Sequence, residues 1–387
     1  MSPAPSGDPF SLGEKILALL EEGSFTATYK YAVLLAVVDL CMEGAAASGA
    51  APRAIGTREL ARKIVEIYWP HTRDFATTRT TKFLRQNSGG QAEILTAIRR
   101  FREQHATDPL EPLSRARSRS PSAFDRLIEF VEFKLVEMPL PRLQRFGKSE
   151  DRFLYDFRWN PVVRRSDLDD PAIHFDRRIH LREGVGDSLV QLAGLLRPLV
   201  QRHWASMVAG LNRDVLQAAE LEEFLFGKTR IDLTPVCQPL RELQENRCFY
   251  CGERIRGAAE VDHFIPWSRH PDDGIANLVI ADPGCNSDKR DFFASLDHLS
   301  RWNDERFVGR RLAPALAEIA TVTSWEHEPE RTRNVARSLY RRLPARLELW
   351  RRRGNFVLLD RSELDGIFPP GEAARIRPVV PGSGHRS

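Results

Sequence analysis

CFYCGERIRGAAEVDHFIPWSRHPDDGIANLVIADPGCNSDKRDF, residues 248–292, holds three chemical patterns in a short span. A C-x-x-C pair opens it, an Asp262-His263 pair follows inside an apolar run, and Cys285 is followed directly by Asn286. Neighbouring side chains of a strand point to opposite faces of a sheet. In the middle of an ordinary strand, the side chains of Asp262 and His263 would point to opposite faces and could not act together. The presence of both residues in an apolar run therefore needs another explanation.

The cysteines predict a metal site rather than a set of disulfides. The chain has five of them, an odd number, and the spacing of Cys248 and Cys251 is typical of metal or redox chemistry in a cytoplasmic protein. A second pair from further along the chain would complete a tetrahedral zinc site. Asp282 stands where that pair would begin, so the candidate zinc ligands are Cys248, Cys251, Asp282 and Cys285. A metal-free turn with packed cysteines is the alternative.

Basic and amide side chains surround the third pattern. Asn286 lies at the expected start of a helix with Lys289 and Arg290 one turn later, where backbone N–H groups and cations suit a phosphate. Arg269 is a third candidate phosphate contact, although each of these cations could equally be a solvated charge. Asn277 precedes an apolar run, and its side chain could bridge loop backbone groups and hold the preceding strand.

In type, order and spacing these patterns resemble the HNH nuclease family, whose ββα-metal core runs from C-x-x-C through Asp-His and Asn-Leu to C-x-x-C-Asn or C-x-x-C-His. The resemblance covers about residues 243–302. It implies that His263 is the general base and that Asn277 fixes the connecting loop. Asp262 and Asn286 would then bind a catalytic Mg²⁺ or Mn²⁺ ion. It also implies that the strand ends or twists at the Asp-His pair, so that both side chains serve one site.

Phosphodiester hydrolysis gives each of these residues a physical task. The reaction needs an activated water, a Lewis acid beside the developing charge and a stabilised leaving oxygen. A neutral His263 can take a proton from water near pH 7. A Mg²⁺ ion on Asp262 and Asn286 would keep most of its own waters and bind the scissile phosphate. The alternative is a non-catalytic zinc-ribbon-like module that binds nucleic acid or regulates, which has no use for these three side chains together.

Charge and hydrophobicity limit the possible classes of protein and cellular compartments. A net charge of +4 over 387 residues permits nucleic acid as a partner without requiring it. The N-terminus lacks a secretory signal. The longest apolar run, residues 31–42, is interrupted by Asp39 and falls short of the roughly 20 residues that span a bilayer. We therefore expect a cytoplasmic protein that has no association with membranes.

Residues 1–112 predict a helical domain. Residues 11–23 and 57–69 place apolar side chains at helical spacing, and Thr57 is the expected N-cap of the second of these helices. A basic, polar segment beyond them, residues 77–90, could make the unit a helix-turn-helix-like DNA-binding module. A helical bundle with a solvated basic face is the alternative, and it is favoured because the pattern lacks a specific fingerprint.

The whole chain is predicted to be α+β, with a largely helical N-terminal part, a mixed middle and a compact ββα-metal nuclease domain toward the C-terminus. Residues 151–159 and 172–181 alternate as strands do, whereas residues 112–122 have the composition of an exposed low-complexity linker. The predicted units are a helical domain (residues 1–112), a mixed α/β region of unknown role (113–235) and the HNH nuclease domain (236–302). A helical C-terminal extension (303–367) and a disordered tail (368–387) follow.

The large region ahead of the nuclease core predicts a recognition or regulatory role. By analogy with restriction, antiphage and toxin-type nucleases, residues 1–235 would recognise a substrate, bind a protein partner or form an oligomer. DNA is the expected nucleic acid and restriction or antiphage defence the expected setting, although a core that contacts backbone phosphates would accept RNA as well. A DNA-binding N-terminal part would show steep salt dependence.

Overall fold

The computed structural model describes residues 8–22, 26–76, 81–90, 92–146, 149–160, 162–170, 172–213, 218–227 and 231–369. Helices dominate and the sheets are small, so the chain is α+β as predicted. The N-terminal helices are α1 (Pro9–Glu22), α2 (Tyr29–Glu43), α3 (Thr57–Tyr68), α4 (Glu93–His105), α5 (Leu113–Arg119), α6 (Pro121–Glu137), α7 (Pro139–Arg142), α8 (Val185–Leu211) and α9 (Ala218–Phe226).

The strands of this part are short. They are β1 (Ala54–Gly56), β2 (Phe75–Ala76), β3 (Thr81–Lys82), β4 (Arg145–Phe146), β5 (Ser149–Glu150), β6 (Tyr155–Phe157) and β7 (Arg178–Leu181). β7 is the central strand of an antiparallel sheet with the order β1-β7-β6. Since β6 and β7 fall within the two alternating stretches, both predicted strands are confirmed.

α2 is the centre of the N-terminal part. Twelve of its 15 residues are buried, because α3, α8 and a C-terminal helix, α14 (Pro329–Arg341), pack around it. α3 is amphipathic as predicted, but Gly56 rather than Thr57 is its N-cap. The hydroxyl of Thr57 donates instead to Glu132 at 2.6 Å, a contact across the interior that local sequence does not reveal. None of the described helices is both long and apolar enough to span a membrane.

The HNH region contains α10 (Thr234–Leu243), β8 (Glu260–His263), β9 (Leu278–Ala281), α11 (Pro283–Lys289) and α12 (Leu296–Asn303). β8 and β9 pair antiparallel and α11 follows, which is the predicted ββα order. The side chain of Gln244 accepts a hydrogen bond from the backbone nitrogen of Ile280 at 2.8 Å and donates to its carbonyl at 2.9 Å. It thereby pairs the backbone nitrogen of Ile280 on the outer edge of β9, whose carbonyl also accepts a hydrogen bond from the Phe249 backbone nitrogen at 2.8 Å.

The C-terminal extension is not purely helical. It contains α13 (Ala313–Thr323), α14, an antiparallel hairpin of β10 (Glu348–Arg352) and β11 (Asn355–Leu358), and α15 (Arg361–Ile367). One connected cluster of buried apolar side chains runs from α1 to Phe368. The extension is therefore part of the same packed body as the N-terminal helices and the HNH region.

Two further expectations need correction. Residues 112–122 are not an exposed linker, because α5 and the start of α6 occupy them and Ser114 and Ala116 are buried. Packing against α4 and α6 holds this arginine- and serine-rich segment, and such contacts override composition. Between α3 and α4 lies the β2-β3 pair rather than the short turn of a helix-turn-helix, which favours the bundle alternative.

The predicted disordered tail begins too early. Phe368 is fully buried in the packed body. Residues 370–387 lie outside the described residues, as does the predicted glycine stop of the first helix at Gly23.

Candidate active site

The ββα unit forms around the Asp262-His263 pair. Asp262 lies opposite Val279 and His263 opposite Leu278 in the antiparallel ladder. β8 ends at His263, and α11 begins two residues after the end of β9. The strand therefore ends at the Asp-His pair, one of the two arrangements that the resemblance implied.

Asp262 is buried within this unit and held by two donors. It is 8% exposed. The hydroxyl of Tyr250 donates to Asp262 Oδ2 at 2.5 Å, and Lys289 Nζ lies 2.9 Å from the same oxygen. Burial and the charge of Asp262 hold the pKa of Tyr250 well above its ordinary value, so the phenol stays protonated and able to donate. Both of these contacts use Oδ2 rather than Oδ1.

Lys289 lies beneath the strand rather than facing a ligand. Its side chain is fully buried, and its ammonium donates to the backbone carbonyl of His263 at 3.0 Å as well as contacting Asp262. These two oxygens replace the water that the buried cation has given up. Lys289 thus ties α11 to the end of β8, and its burial keeps it from the phosphate contact that the sequence predicts.

The other two predicted phosphate contacts are exposed. Arg290 ends α11 with a left-handed φ of 49°. The guanidinium of Arg269 lies 5.5 Å from the ring centre of Phe293. A phosphate role for these two arginines stays a prediction.

His263 is oriented by a carboxylate that sequence analysis missed. A ring nitrogen, Nε2, lies 2.9 Å from Asp273 Oδ1, and the ring of Trp267 lies beside the imidazole at 5.2 Å between centres. The backbone carbonyl of Asp273 accepts a hydrogen bond from Trp325 Nε1 at 2.7 Å. The acidic pair and glycine at residues 272–274 are the only sequence signal for this contact.

Asn277 bridges the loop that follows β8, as predicted. It is fully buried; its side-chain oxygen accepts from the backbone nitrogen of Ile265 at 2.8 Å, and its amide donates to the carbonyl of Asp272 at 2.9 Å. The Asp272 carboxylate in turn accepts hydrogen bonds from Thr332 at 2.8 Å and from the Gly274 backbone at 2.9 Å. The loop that carries Asp273 is therefore held at both of its ends.

Asn286 lies on the same side of β8 as Asp262. Its amide nitrogen donates to Glu260 Oε2 at 2.7 Å. Glu260 and Asp262 are two residues apart on β8 and share one face of the strand. Asn286 and Lys289 are three apart on α11 and share one face of the helix, and each bonds one of those two carboxylates. Glu260 is a second acidic group that sequence analysis did not select.

Three of the four predicted zinc ligands come together. The sulfur atoms of Cys248, Cys251 and Cys285 all lie within 4.8 Å of one another. Gly252 follows the C-x-x-C pair with a φ of +74°, a conformation that glycine adopts without strain. Burial and the two neighbouring thiols raise the pKa of Cys285, so a bound cation would be needed to hold the cluster as thiolates.

Asp282 does not join this cluster of cysteines. Its side chain accepts a hydrogen bond from the backbone nitrogen of Gly284 at 2.9 Å and caps α11. A capping carboxylate satisfies a backbone donor that the first turn of a helix leaves unpaired. The residue thus has a local task that accounts for its position beside Cys285 without a metal.

Two family models match the chain. Residues 248–295 match the model described as HNH endonuclease, and residues 11–225 match the model described as a domain of unknown function, DUF8808. The second match covers more than half of the 387 residues. The chain belongs to the DUF8808 family and contains an HNH endonuclease domain. No curated protein and no solved structure gives a match.

The match to the HNH endonuclease model confirms the predicted resemblance. It supports a nuclease-type hydrolase in general, with nucleic acid as its substrate and divalent metal as its cofactor. The cysteine cluster within the HNH domain agrees with zinc binding. The DUF8808 match agrees with the prediction of a large region ahead of the HNH domain.

The HNH domain depends on residues beyond its matched segment. Trp325 and Thr332 of the extension hold the loop at Asp272 and Asp273. The buried guanidinium of Arg306 donates to the backbone carbonyl of Leu278 at 3.0 Å, at the start of β9. The C-terminal extension therefore contributes to the position of the general-base candidate.

Proposed function

We propose that this protein is a metal-dependent HNH endonuclease that hydrolyses phosphodiester bonds of nucleic acid, with DNA as the first substrate to test. One observation carries the proposal. β8 ends at the Asp262-His263 pair while α11 packs Asn286 and Lys289 against the strand face that bears Asp262. Metal-assisted hydrolysis needs a base and metal ligands close to it, and here a histidine ends the strand while the oxygen ligands of Asp262 and Asn286 lie on one side of it.

The donor set fits a hard divalent cation. Asp262 and Asn286 offer a carboxylate and an amide oxygen, the ligand types that Mg²⁺ and Mn²⁺ prefer. Because Asn286 donates through its nitrogen to Glu260, its oxygen is the atom that remains for a cation. When bound, the cation would supply a Lewis acid at the scissile phosphate. Lys289 and Tyr250 meanwhile fix the Asp262 carboxylate through its other oxygen.

His263 takes the proton from the attacking water in this proposal. The water-facing nitrogen is Nδ1, because Nε2 is paired with Asp273. Asp273 fixes the tautomer and the orientation of the ring and balances the charge of the imidazolium that forms. Trp325, through its bond to the Asp273 carbonyl, keeps that carboxylate in place. Asp273 is therefore a positioning residue, since it acts through His263.

The three cysteines are proposed as a structural zinc site. Cys248 and Cys251 lie on the turn that precedes β8, and Cys285 lies on α11. A zinc ion on these thiolates would clamp that turn to the helix that carries Asn286. Zinc would thus support the active site without taking part in hydrolysis.

A non-catalytic zinc-ribbon-like module is the second candidate. The ion pair of 2.9 Å between Lys289 and Asp262 favours it, because a resident cation already compensates the charge of that carboxylate. The His263–Asp273 contact argues against it, since a binding module has no need of an oriented histidine at a strand end. Recognition of the substrate or of a protein partner is proposed for residues 1–235 under either candidate.

The experiment is a cleavage panel with purified full-length protein. Plasmid, linear duplex, single-stranded DNA and RNA are incubated with Mg²⁺, with Mn²⁺ and with EDTA. We expect cleavage of at least one DNA substrate that EDTA abolishes and that Asn286→Ala abolishes as well. The matched control is Asn160→Ala, an exposed asparagine in the N-terminal part. A folded, metal-loaded protein that cleaves none of the substrates would favour the binding module instead.

A further inference from the structure

An exposed basic and aromatic surface lies where the β10-β11 hairpin meets the end of α11. We call it the hairpin surface, and it consists of Arg290, Phe292, Arg352, Arg353 and Phe356. The two strands pair antiparallel, and the turn between them passes through Gly354, whose φ of +66° is in the region that glycine adopts without strain. The two hairpin arginines, Arg352 and Arg353, lie at this turn and are exposed.

The hairpin is fixed to the helix that carries Asn286. Trp350 of β10 is fully buried, and its Nε1 donates to Asp288 Oδ2 on α11 at 2.8 Å. The backbone nitrogen of Gly354 lies 3.2 Å from the same oxygen. The backbone nitrogen of Trp350 also donates to the carbonyl of Phe293 at 2.8 Å. The hairpin surface and the proposed metal ligand thus belong to one connected unit.

Two aromatic rings of this surface face solvent. Phe292 is 45% exposed and Phe356 is 37% exposed. Their rings meet edge to face with 5.0 Å between centres. Exposed rings that are paired and flanked by cations, on a strand and turn that are otherwise held firmly, form a platform on which a planar group can stack.

The arginines of the surface are available to an anion. Arg290, Arg352 and Arg353 are all exposed. Within the part of the chain that the structure describes, none of the three has an ion-pair partner within 4.0 Å. Guanidinium groups bind phosphate oxygens in a bidentate geometry. The charge of this surface is therefore complementary to a phosphate backbone.

We propose that the hairpin surface binds a nucleic-acid strand with unpaired bases, beside the HNH site. This inference rests on the proposed nuclease function, because the hairpin is bonded through Asp288 to α11, the helix that also carries the proposed metal ligand Asn286. The arginines contact the backbone phosphates and the two phenylalanines stack on bases. Base stacking on aromatic side chains requires a strand whose bases are accessible, so single-stranded or locally unpaired nucleic acid fits the surface better than intact duplex.

The test measures binding without cleavage. Full-length protein that retains its zinc is titrated into fluorescent single-stranded and duplex DNA of the same sequence without added Mg²⁺ or Mn²⁺, at several salt concentrations, with anisotropy as the readout. We expect tighter binding of the single strand. Phe356→Leu, which keeps an apolar side chain but removes the stacking ring, should weaken that binding about fivefold or more, whereas Phe356→Tyr should retain it.

Removal of the hairpin charges should change the salt dependence. The double variant Arg352→Ala, Arg353→Ala should flatten the slope of log affinity against log salt by about 0.7 for each phosphate that the hairpin no longer neutralises. The matched control removes the same charge from the exposed residues Arg310 and Arg346 of the C-terminal extension. It should leave the slope close to that of the natural protein.

The outcomes separate this inference from the proposed function. Equal effects of the hairpin and control variants, tighter binding of duplex, or unchanged single-strand binding by Phe356→Leu would each overturn it. If the cleavage panel succeeds and the hairpin variants bind normally, this inference fails alone. If single-strand binding depends on the hairpin but no substrate is cleaved, the proposed hydrolysis fails alone.

Discussion

The HNH domain and the helical N-terminal part place charged side chains in different ways. At the HNH site, the His263 side chain is 18% exposed and Asp273 is 22% exposed, so the pair is open to water on one side. At the contact with the N-terminal part, His270 from the same loop is fully buried. One histidine is therefore partly open to solvent, and the other is closed off from it.

The buried charges form a network between the two regions. Glu43 of α2 is its centre, with Lys63 Nζ at 2.7 Å, His270 Nε2 at 3.2 Å and Arg331 Nε at 3.3 Å. Asp39 pairs with Arg197 and lies 3.5 Å from His270. Each contact joins different parts of the chain: α2, α3, α8, the loop after β8 and α14.

The polar groups of the HNH domain and those of the buried network therefore have different roles. In the HNH domain, a hydrogen bond orients His263 while its side chain stays partly exposed to solvent. In the network, charges neutralise one another and fix the loop that begins at His263 to α2 and α3. Disruption of the network should therefore lower stability, and disruption of the HNH site should lower activity with little effect on stability.

The largest effect is expected at the centre of the network. Glu43→Ala leaves the buried Lys63 and His270 and the mostly buried Arg331 without their shared carboxylate, and should lower the free energy of unfolding by about 3–5 kcal/mol. The measurement is urea unfolding. As the control, Asp125→Ala removes an exposed carboxylate 3.3 Å from Arg58 and should cost less than about 1 kcal/mol. Similar losses in the two variants would show that the network does not hold the regions together.

A smaller effect, on activity alone, is expected at Asp273. Asp273→Asn keeps the shape of the side chain but removes the charge that balances the His263 imidazolium, and should lower kcat by about 10- to 100-fold with KM little changed. Initial cleavage rates across substrate concentrations measure both constants. Asp170→Asn, at an exposed position in the N-terminal part, is the matched control. If kcat for Asp273→Asn equals that of the control, Asp273 does not position His263 for catalysis.

Local patterns predicted the HNH domain well because its chemistry lies in short motifs. The Asp262-His263 pair, Asn277 and Asn286 were each selected from their neighbours in sequence, and β8, β9 and α11 have the predicted order. The orientation of His263 escaped prediction, because it depends on Asp273, held by Trp325 from more than fifty residues further along.

Side-chain direction, helix capping and long-range packing explain the other differences. Lys289 has the sequence position of a phosphate contact, yet it is buried under Asp262, and only the fold determines that direction. Asp282 was a candidate ligand by spacing and is a helix cap by geometry. α5 and the β10-β11 hairpin have polar, arginine-rich sequences whose structure depends on the elements they pack against.

The network should also make stability depend on pH through His270. Burial alone would lower the pKa of His270, but its contacts with Asp39 and Glu43 outweigh burial and raise the pKa above its ordinary value of 6.5. A histidine with a higher pKa in the folded state stabilises the fold below the unfolded-state value and loses that contribution as pH rises through the folded-state value.

The free energy of unfolding should therefore fall above pH 6.5 in the natural protein and fall less in His270→Gln. Each unit of difference between the folded and unfolded pKa corresponds to about 1.4 kcal/mol. Urea titrations from pH 5 to 9 measure the two curves, and His174→Gln at an exposed position is the control. Parallel curves for the natural protein and His270→Gln would contradict the prediction.

The smallest effect is expected at Asp282, within the HNH domain. Asp282→Ala removes the cap of α11 and should cost about 1 kcal/mol of unfolding free energy while bound zinc, measured by elemental analysis, stays unchanged. Cys285→Ser should instead lower the zinc content. Loss of zinc from Asp282→Ala would restore that carboxylate as the fourth ligand.

The most direct test of the proposed function is the rate of metal-dependent DNA cleavage by His263→Ala at saturating Mn²⁺. We expect a loss of about 100-fold or more relative to the natural protein, since the general base is gone, with circular dichroism and DNA binding unchanged. His174→Ala should cleave at the natural rate. Cleavage by His263→Ala within a few-fold of the natural rate would contradict the assignment of His263 and the mechanism built on it.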